Sequence, residues 1–315
     1  MSRRPARLRV HPEALVHNLR RLRTLLPPAS LGRGGGLVAV VKADAYGHGL
    51  EAAARALAPH AAALAVASPG EGEALRAAGL GCRIVVLQGF AGRGELEACR
   101  RLDLEPVIHD PGQVALLEGA PAGRPLAVWL KVDTGMHRLG VAPGEARALW
   151  ERLRACPAVA GVVLMTHLAE AEVPGGGRTR EQLARFREAV AGLPGPRSVA
   201  NSAALLACPE ARGELPRPGI ALYGVSPFPE GEGPELGLRP AMTFETRLLA
   251  VRPLRRGDPV GYGGSWVCPE DMPVGVVAAG YADGYPRSAP SGTPVLVGGR
   301  AVPLVGRVSM DLLCV

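Results

Sequence analysis

Aromatic residues make up only 4% of this 315-residue chain. So few rings leave few platforms for stacking bases, and the net charge of +7 is spread along the sequence rather than massed in one run. Both features point to a solvated basic surface and away from nucleic acid. No uninterrupted apolar run approaches the ~18 residues of a transmembrane helix. No stretch of about 7–15 apolar residues follows the Arg-rich start Met1–Val10, so neither a membrane span nor a secretory signal is expected. The six cysteines, at 82, 99, 156, 208, 268 and 314, include no Cys-x-x-Cys pair and no metal-ligand spacing. They read as reduced thiols of a cytoplasmic protein without a metal site. Lysine is the sharpest deficit: of 36 Lys and Arg residues only Lys42 and Lys131 are lysine, leaving 34 arginines. Arginine serves wherever a permanent cation suffices, whereas an amine can lose its proton and act as a nucleophile. The two lysines either mark positions where only an amine works or remain by accident.

Glycine and proline are plentiful, 42 and 30 residues, beside an apolar fraction of 47%. That combination reads as many turns around a sizeable core rather than as disorder. Leu15, Leu19, Leu22 and Leu26 recur at helical spacing, and a Gly-rich turn, Gly32–Gly36, follows. Eight apolar runs then alternate with helical patterns: 37–41, 62–67, 83–87, 105–108, 126–132, 161–165, 198–200 and 219–222. The helical segments include 49–57, 95–101, 143–154 and 179–190, the last opening on a Thr179/Gln182 capping box. Eight strands alternating with helices predict an α/β fold, a (β/α)8 TIM-type barrel over residues 1–225. The open doubly wound alternative lacks a Gly-x-Gly-x-x-Gly after any strand. A Pro- and Gly-rich stretch to Gly237 reads as a linker. Beyond it, 243–251, 274–279, 294–297 and 305–314 read as strands, which predicts a C-terminal all-β domain over 226–315. The chain stops at Val315 inside an apolar strand pattern, so this domain is expected to be incomplete.

In such barrels reactive side chains sit where strands end. Lys42 closes the first strand, where desolvation would favour the neutral amine of Schiff-base chemistry, though a strand-end lysine can equally snorkel to water. Lys131 and Arg138 follow the fifth strand. Arg138 could clamp a carboxylate or could be an ordinary loop cation. His167 ends the sixth strand. Asn201 and Ser202 open a helix in a way that suits an anion, or simply an N-cap. Arg217-Pro-Gly219 lets backbone amides approach an anion, or makes a plain turn. All five tyrosines lie in Gly-flanked turns, where a phenol can exchange protons or brace a loop.

Taken in order, VVKADAYGHG, KVDTGMHRLG, Thr166-His167, NSAA, RPGIALYG, GYGGSW, GYADGYP and GRVSMD resemble the motifs of the alanine racemases over nearly the whole chain. These are pyridoxal-phosphate enzymes with a barrel and a C-terminal β domain. The resemblance implies that Lys42 holds the cofactor covalently and is one of two bases. Tyr262 would be the opposite base, reaching the site of the other subunit in a homodimer. His167 would hydrogen-bond and tune Tyr262, and Arg217 would face the pyridine nitrogen. Tyr46, Asn201, Ser202, Gly219 and Ile220 would bind the phosphate. Arg138 and the Met310 backbone, with Asp311 beside them, would bind the substrate carboxylate, and a carbamylated Lys131 would orient Arg138. The implied activity interconverts L- and D-alanine for peptidoglycan. Alternatives are a racemase of wider substrate choice, or a cofactor-binding protein impaired by a short C-terminus. Family members run on by about fifty residues, a stretch on the scale of part of a domain. They also often carry His where this chain has Ser198.

Overall fold

A computed structural model describes residues 4–28 and 35–315; most of the expected Gly32–Gly36 turn and the first three residues lie outside this range. Two compact units emerge, one of residues 11–241 and one that joins the N-terminal segment before His11 to residues 242–315. Strand β1 (Arg7–Val10) therefore belongs to the second unit.

The larger unit begins with α1 (Pro12–Arg23), whose Leu15, Leu19 and Leu22 are buried. Its strands are β2 (Val38–Val40), β3 (Ala63–Val66), β4 (Ile84–Val86), β5 (Glu105–Ile108), β6 (Leu126–Lys131), β7 (Val159–Met165) and β8 (Arg197–Ser198). They form one parallel sheet in sequence order. Between them run α2 (Lys42–Gly47), α3 (Leu50–Leu57), α4 (Pro69–Ala77), α5 (Arg93–Arg101), α6 (Pro111–Glu118), α7 (Ala146–Ala155) and α8 (Gly177–Ala189), and α9 (Ser202–Ala207) follows β8. Alternate side chains point to opposite faces of each strand. Val38, Val40, Ala65, Val107, Trp129 and Met165 fill the inside. Ala39, Val41, Leu64, Ile84 and Leu130 pack with Leu57, Leu75 and Phe186 of the helices.

The eighth stave is not the expected run 219–222, which forms a single 3-10 turn, Ile220–Tyr223. Residues 214–218 take that place. The carbonyls of Glu214, Pro216 and Pro218 accept from Gly36, Val38 and Val40 at 2.8, 2.8 and 3.1 Å. On the other side, Glu214 and Leu215 donate to Arg197 O, and Arg217 donates to Ala200 O. Prolines 216 and 218 have carbonyls to offer but no N–H, so this stave closes the barrel with half a ladder.

Two further expectations fail locally. Helix α8 starts at Gly177 without a side-chain cap. Thr179 Oγ1 instead donates to Glu170 O at 3.1 Å, and Gln182 bonds to Ala169, His167 and Thr134. The stretch read as a linker packs on α1: Arg21 Nε donates to Leu236 O at 3.2 Å, and Asn18 binds Leu222 O and Arg239 O. The compact units thus part at 241/242, where the sequence suggested 225/226.

The second unit is antiparallel. Strand β1 pairs β9 (Met242–Glu245). It continues with β10 (Leu248–Leu254), β11 (Pro259–Val260), β12 (Trp266–Val267), β13 (Met272–Val277), β14 (Pro294–Val297), β15 (Arg300–Pro303) and β16 (Leu313–Cys314). The expected strand 243–251 is split between β9 and β10. The expected strand 305–314 is a loop as far as β16, pinned at its ends by the Val305–Cys314 bridge. Gly306 (φ 74°) turns it where a Cβ would meet Val260 O at 2.8 Å.

Candidate active site

Strand β2 delivers Lys42 to the C-terminal mouth of the barrel. The chain then does something rare for L-residues: Ala43, Asp44, Ala45 and Tyr46 all take left-handed helical angles, with φ between 52° and 56°. Each such residue costs roughly 1–2 kcal/mol through contact of its Cβ with the backbone. The surroundings compensate. Ala43 N donates to Glu71 Oε1 at 2.8 Å, Leu50 N to Asp44 Oδ1 at 2.7 Å, and Gly49 N to Asp44 O at 3.0 Å. Tyr46 stacks on Tyr223, ring centroids 4.6 Å apart, and Tyr223 OH donates to Val40 O at 2.9 Å.

Strand β6 ends in Lys131, only 5% exposed. Burial, then the nearby Arg217 and Arg138, push its amine down to about 8. The loop after it is shaped by Asp133 Oδ1, which accepts from the amides of Gly135, Met136 and His137 at 3.0 Å each. This loop carries Arg138 to the cavity wall.

The next staves set a buried network. Arg217, 4% exposed, donates from Nη1 to Ser198 Oγ at 2.5 Å, and from Nη2 to Thr166 O at 2.7 Å and Val199 O at 3.2 Å. Ser198 in turn donates to Leu215 O. Nη2 also lies 3.3 Å from His167 Nδ1. Burial lowers the Arg217 pKa to about 9, still above neutrality, so the group remains a cation. An arginine cation can only donate, so His167 Nδ1 accepts and Nε2 carries the imidazole proton. Burial, then Arg217 and Lys131, hold His167 down to about 3, so it is neutral.

The last wall comes from α9 and the closing turn. Asn201 is an N-cap, its Oδ1 accepting from Ala204 N at 3.0 Å. Ser202 Oγ accepts from Gly219 N at 2.9 Å and Ala221 N at 3.3 Å. The Ile220 amide is given no protein acceptor among the described residues. A Cβ on Gly219 would strike the Tyr46 hydroxyl, so only glycine leaves this concavity open.

These groups surround one cavity of about 480 Å³. Among the described residues, Lys42, Lys131, Arg138 and Arg217 are its cations, and Glu172 is the one carboxylate on its wall. Such a lining suits a small, multiply anionic ligand. Phosphate and carboxylate are matched by the cations, and the concavity at Gly219 and Ser202, with the Ile220 amide beside it, suits phosphate. The residues present therefore fit pyridoxal phosphate together with an amino acid.

The structure brings together Lys42, Tyr46, Lys131, Arg138, His167, Asn201, Ser202, Arg217, Gly219 and Ile220 around this cavity. Tyr262, Met310 and Asp311 belong to the other unit. Tyr262 is 67% exposed in the 3-10 turn Tyr262–Gly264. Met310 O accepts from Ala282 N at 2.9 Å, and its amide donates to nothing among the described residues. Asp311 is paired with Arg4, which also holds Asp283 at 2.5 Å. Sequence reasoning passed over Glu71, the part of Ser198 in holding Arg217, and the bond from Tyr223 to Val40. The Ser68-Pro-Gly-Glu71 pattern, a capping-box spacing, was the signal available for the first.

Fold and site together define a barrel enzyme whose strand ends form an electropositive cavity for a small anion, linked to an all-β unit. The alanine racemase N-terminal domain family matches residues 10–227, and the alanine racemase C-terminal domain family matches 241–315. An alanine racemase of Halorhodospira halophila is 51% identical over 313 residues, covering 99% of this chain and 84% of its own length. The biosynthetic alanine racemase of Salmonella typhimurium is 48% identical over 308 residues, 97% of this chain and 84% of that one. The crystal structure of the biosynthetic alanine racemase of Pseudomonas aeruginosa superposes with a TM-score of 0.92 at 41% identity, covering 99% of this chain and 86% of that one. The chain belongs to the alanine racemase family. Among the described residues no helix is long and apolar enough to cross a membrane, and no cluster of His, Cys, Asp and Glu could hold a metal.

Proposed function

We propose that this chain interconverts L- and D-alanine with pyridoxal phosphate, by two bases on opposite faces of the substrate, in the cytoplasm and as a supplier of D-alanine for peptidoglycan. The observation that carries the reading is Lys42 on its left-handed turn, facing a cavity shared with Lys131, Arg138 and Arg217. When bound, the cofactor supplies an electron sink that makes the substrate's Cα–H acidic.

Lys42 is the attachment point and takes or returns the α-proton on one face. Tyr262 of the partner subunit serves the other face, which makes the active unit a homodimer. Because His167 carries its proton on Nε2, it donates to that phenol's oxygen and favours its anion. Tyr46, Ser202 and the Ile220 amide hold the phosphate, with Asn201 and Gly219 shaping the concavity. The bonds of Arg217 leave hydrogens on Nε and Nη1 to donate to the pyridine nitrogen. An arginine gives up no proton readily, so that nitrogen stays unprotonated and the sink is moderate, which limits side reactions. Arg138 and the Met310 amide, with Asp311 beside it, bind the substrate carboxylate. Lys131, buried among cations, condenses with carbon dioxide. Its nitrogen bonds the carbon and releases a proton, and the resulting carbamate anion orients Arg138.

The test is racemisation of each alanine enantiomer by the purified chain, with α-proton exchange followed in heavy water and serine as a comparison substrate. Lys42→Ala should abolish cofactor attachment and turnover, whereas Tyr262→Phe should keep attachment and slow inversion. Full turnover by Lys42→Ala would overturn the mechanism. Attachment without exchange in the wild type would reduce the chain to a cofactor-binding protein.

A further inference from the structure

Glu71 lies outside the cavity and takes no part in the chemistry above, yet it grips the residue next to Lys42. It occupies the first turn of α4, where its own amide donates to Ser68 Oγ at 3.4 Å. A glutamate at this position commonly reaches back to cap its own helix. Here one carboxylate oxygen does a similar task, accepting from Ala67 N at 2.6 Å, directly after β3. The other reaches across to the neighbouring stave and accepts from Ala43 N at 2.8 Å.

The recipient matters. Ala43 is the first of the four left-handed residues. Like the first turn of any helix, a left-handed turn leaves its leading amides without partners of its own. For Ala45 the backbone supplies an acceptor, Val41 O at 2.9 Å. Among the described residues Ala43 has only the Glu71 carboxylate. A strained run of this kind persists only when its surroundings over-determine it. Asp44 holds the far end, through Gly49 N and Leu50 N, and Glu71 holds the head, where Lys42 joins.

We propose that Glu71 is a positioning residue for Lys42. Its carboxylate ties the ends of β2 and β3 together and holds the left-handed turn that aims the amine into the cavity. The inference rests on the reading of Lys42 as the cofactor lysine.

The test compares the full-length wild type with Glu71→Ala and with Ser68→Ala, which loosens the start of α4 but keeps the carboxylate. In the cofactor-free chain, amide hydrogen exchange over residues 40–48 should rise about tenfold in Glu71→Ala, the effect of losing a charge-assisted bond. Ser68→Ala should leave it near the wild-type value. The rate at which added pyridoxal phosphate becomes attached at Lys42, trapped with borohydride and located by peptide mass, should fall about tenfold in Glu71→Ala alone. If Glu71→Ala does not fold, Glu71→Gln replaces it. That side chain keeps the shape and one acceptor oxygen, and both changes should appear, smaller, in the same direction. Unchanged exchange and attachment in the Glu71 variant would overturn the proposal, as would equal changes in Ser68→Ala. A wild type that shows no attachment at Lys42 would instead refute the reading of the site, while the exchange measurement still reports the hold of Glu71 on the turn.

Discussion

Arg217 Nη2 lies 3.3 Å from His167 Nδ1, and this one relation fixes both the protonation and the orientation of the imidazole. A cation that can only donate occupies the Nδ1 side, so Nε2 must hold the proton.

Burial, and after it this contact, makes stability depend on pH. His167 is depressed from 6.5 to about 3 in the folded chain. Above 6.5 the imidazole is neutral in both states and costs nothing. As pH falls below 6.5 the unfolded chain takes up a proton that the folded chain refuses, so stability is lost progressively toward pH 3. Between pH 7 and pH 5 the loss from this residue should be about 2 kcal/mol. Urea unfolding at the two pH values should show a smaller loss for His167→Asn. An equal loss in both proteins would mean the imidazole is not held neutral.

Lys131 allows a test of the same sign at higher pH. Its amine falls from 10.5 to about 8 through burial and surrounding cations. The penalty for its charge is absent above 10.5, grows as pH falls to 8, and is full at pH 7. In bicarbonate-free buffer Lys131→Met should therefore stabilise the chain at pH 7 by about 2 kcal/mol. Added bicarbonate should stabilise the wild type and leave Lys131→Met unchanged, with one carbon dioxide added to the wild-type mass.

Gly219→Ala should separate binding from folding. The new methyl falls on the Tyr46 hydroxyl, and the ring cannot move without leaving its stack on Tyr223. Cofactor affinity, followed by fluorescence titration, should drop about tenfold or more, while the thermal midpoint shifts by only a few degrees. Unaltered affinity would remove this concavity from the phosphate site.

At the other end of the barrel Glu105 is buried. It takes Arg83 on both oxygens, at 2.7 and 3.0 Å, and Trp129 Nε1 at 2.8 Å. Glu105→Ala takes from Arg83 its bidentate carboxylate and leaves the buried Trp129 indole N–H without that acceptor. Chemical denaturation should show a loss of about 3 kcal/mol, and cofactor affinity should stay at the wild-type value because the site is at the opposite mouth.

Much of the barrel was legible in the sequence because its determinants are local. The runs that became β2 to β7 are apolar but for Arg83, Glu105 and Lys131 near their ends, as strands covered on both faces must be in their middles. Lys42, Arg138, His167, Ser202 and Arg217 stood out because each ends a strand or begins the next turn. What misled was also local. Thr179 and Gln182 have capping-box spacing, yet their side chains found better partners in the loop after β7 and at Thr134. The run 219–222 is apolar, yet the stave is 214–218, because closure requires carbonyls facing β2 and Pro216 and Pro218 supply them without competing donors.

By itself the sequence determined the alternation of strand and helix, the chemistry available at the strand ends, and the rarity of the amine at position 42. Hydrophobic period and residue type are properties of a few neighbouring residues. The tertiary structure alone decided that Ala43 to Tyr46 turn left-handed, that Glu71 satisfies the first of those amides, and that Ser198 and Thr166 aim Arg217 at His167. Each of these depends on which unpaired donor meets which acceptor across adjacent staves, and only closure of the barrel brings those groups within hydrogen-bonding distance.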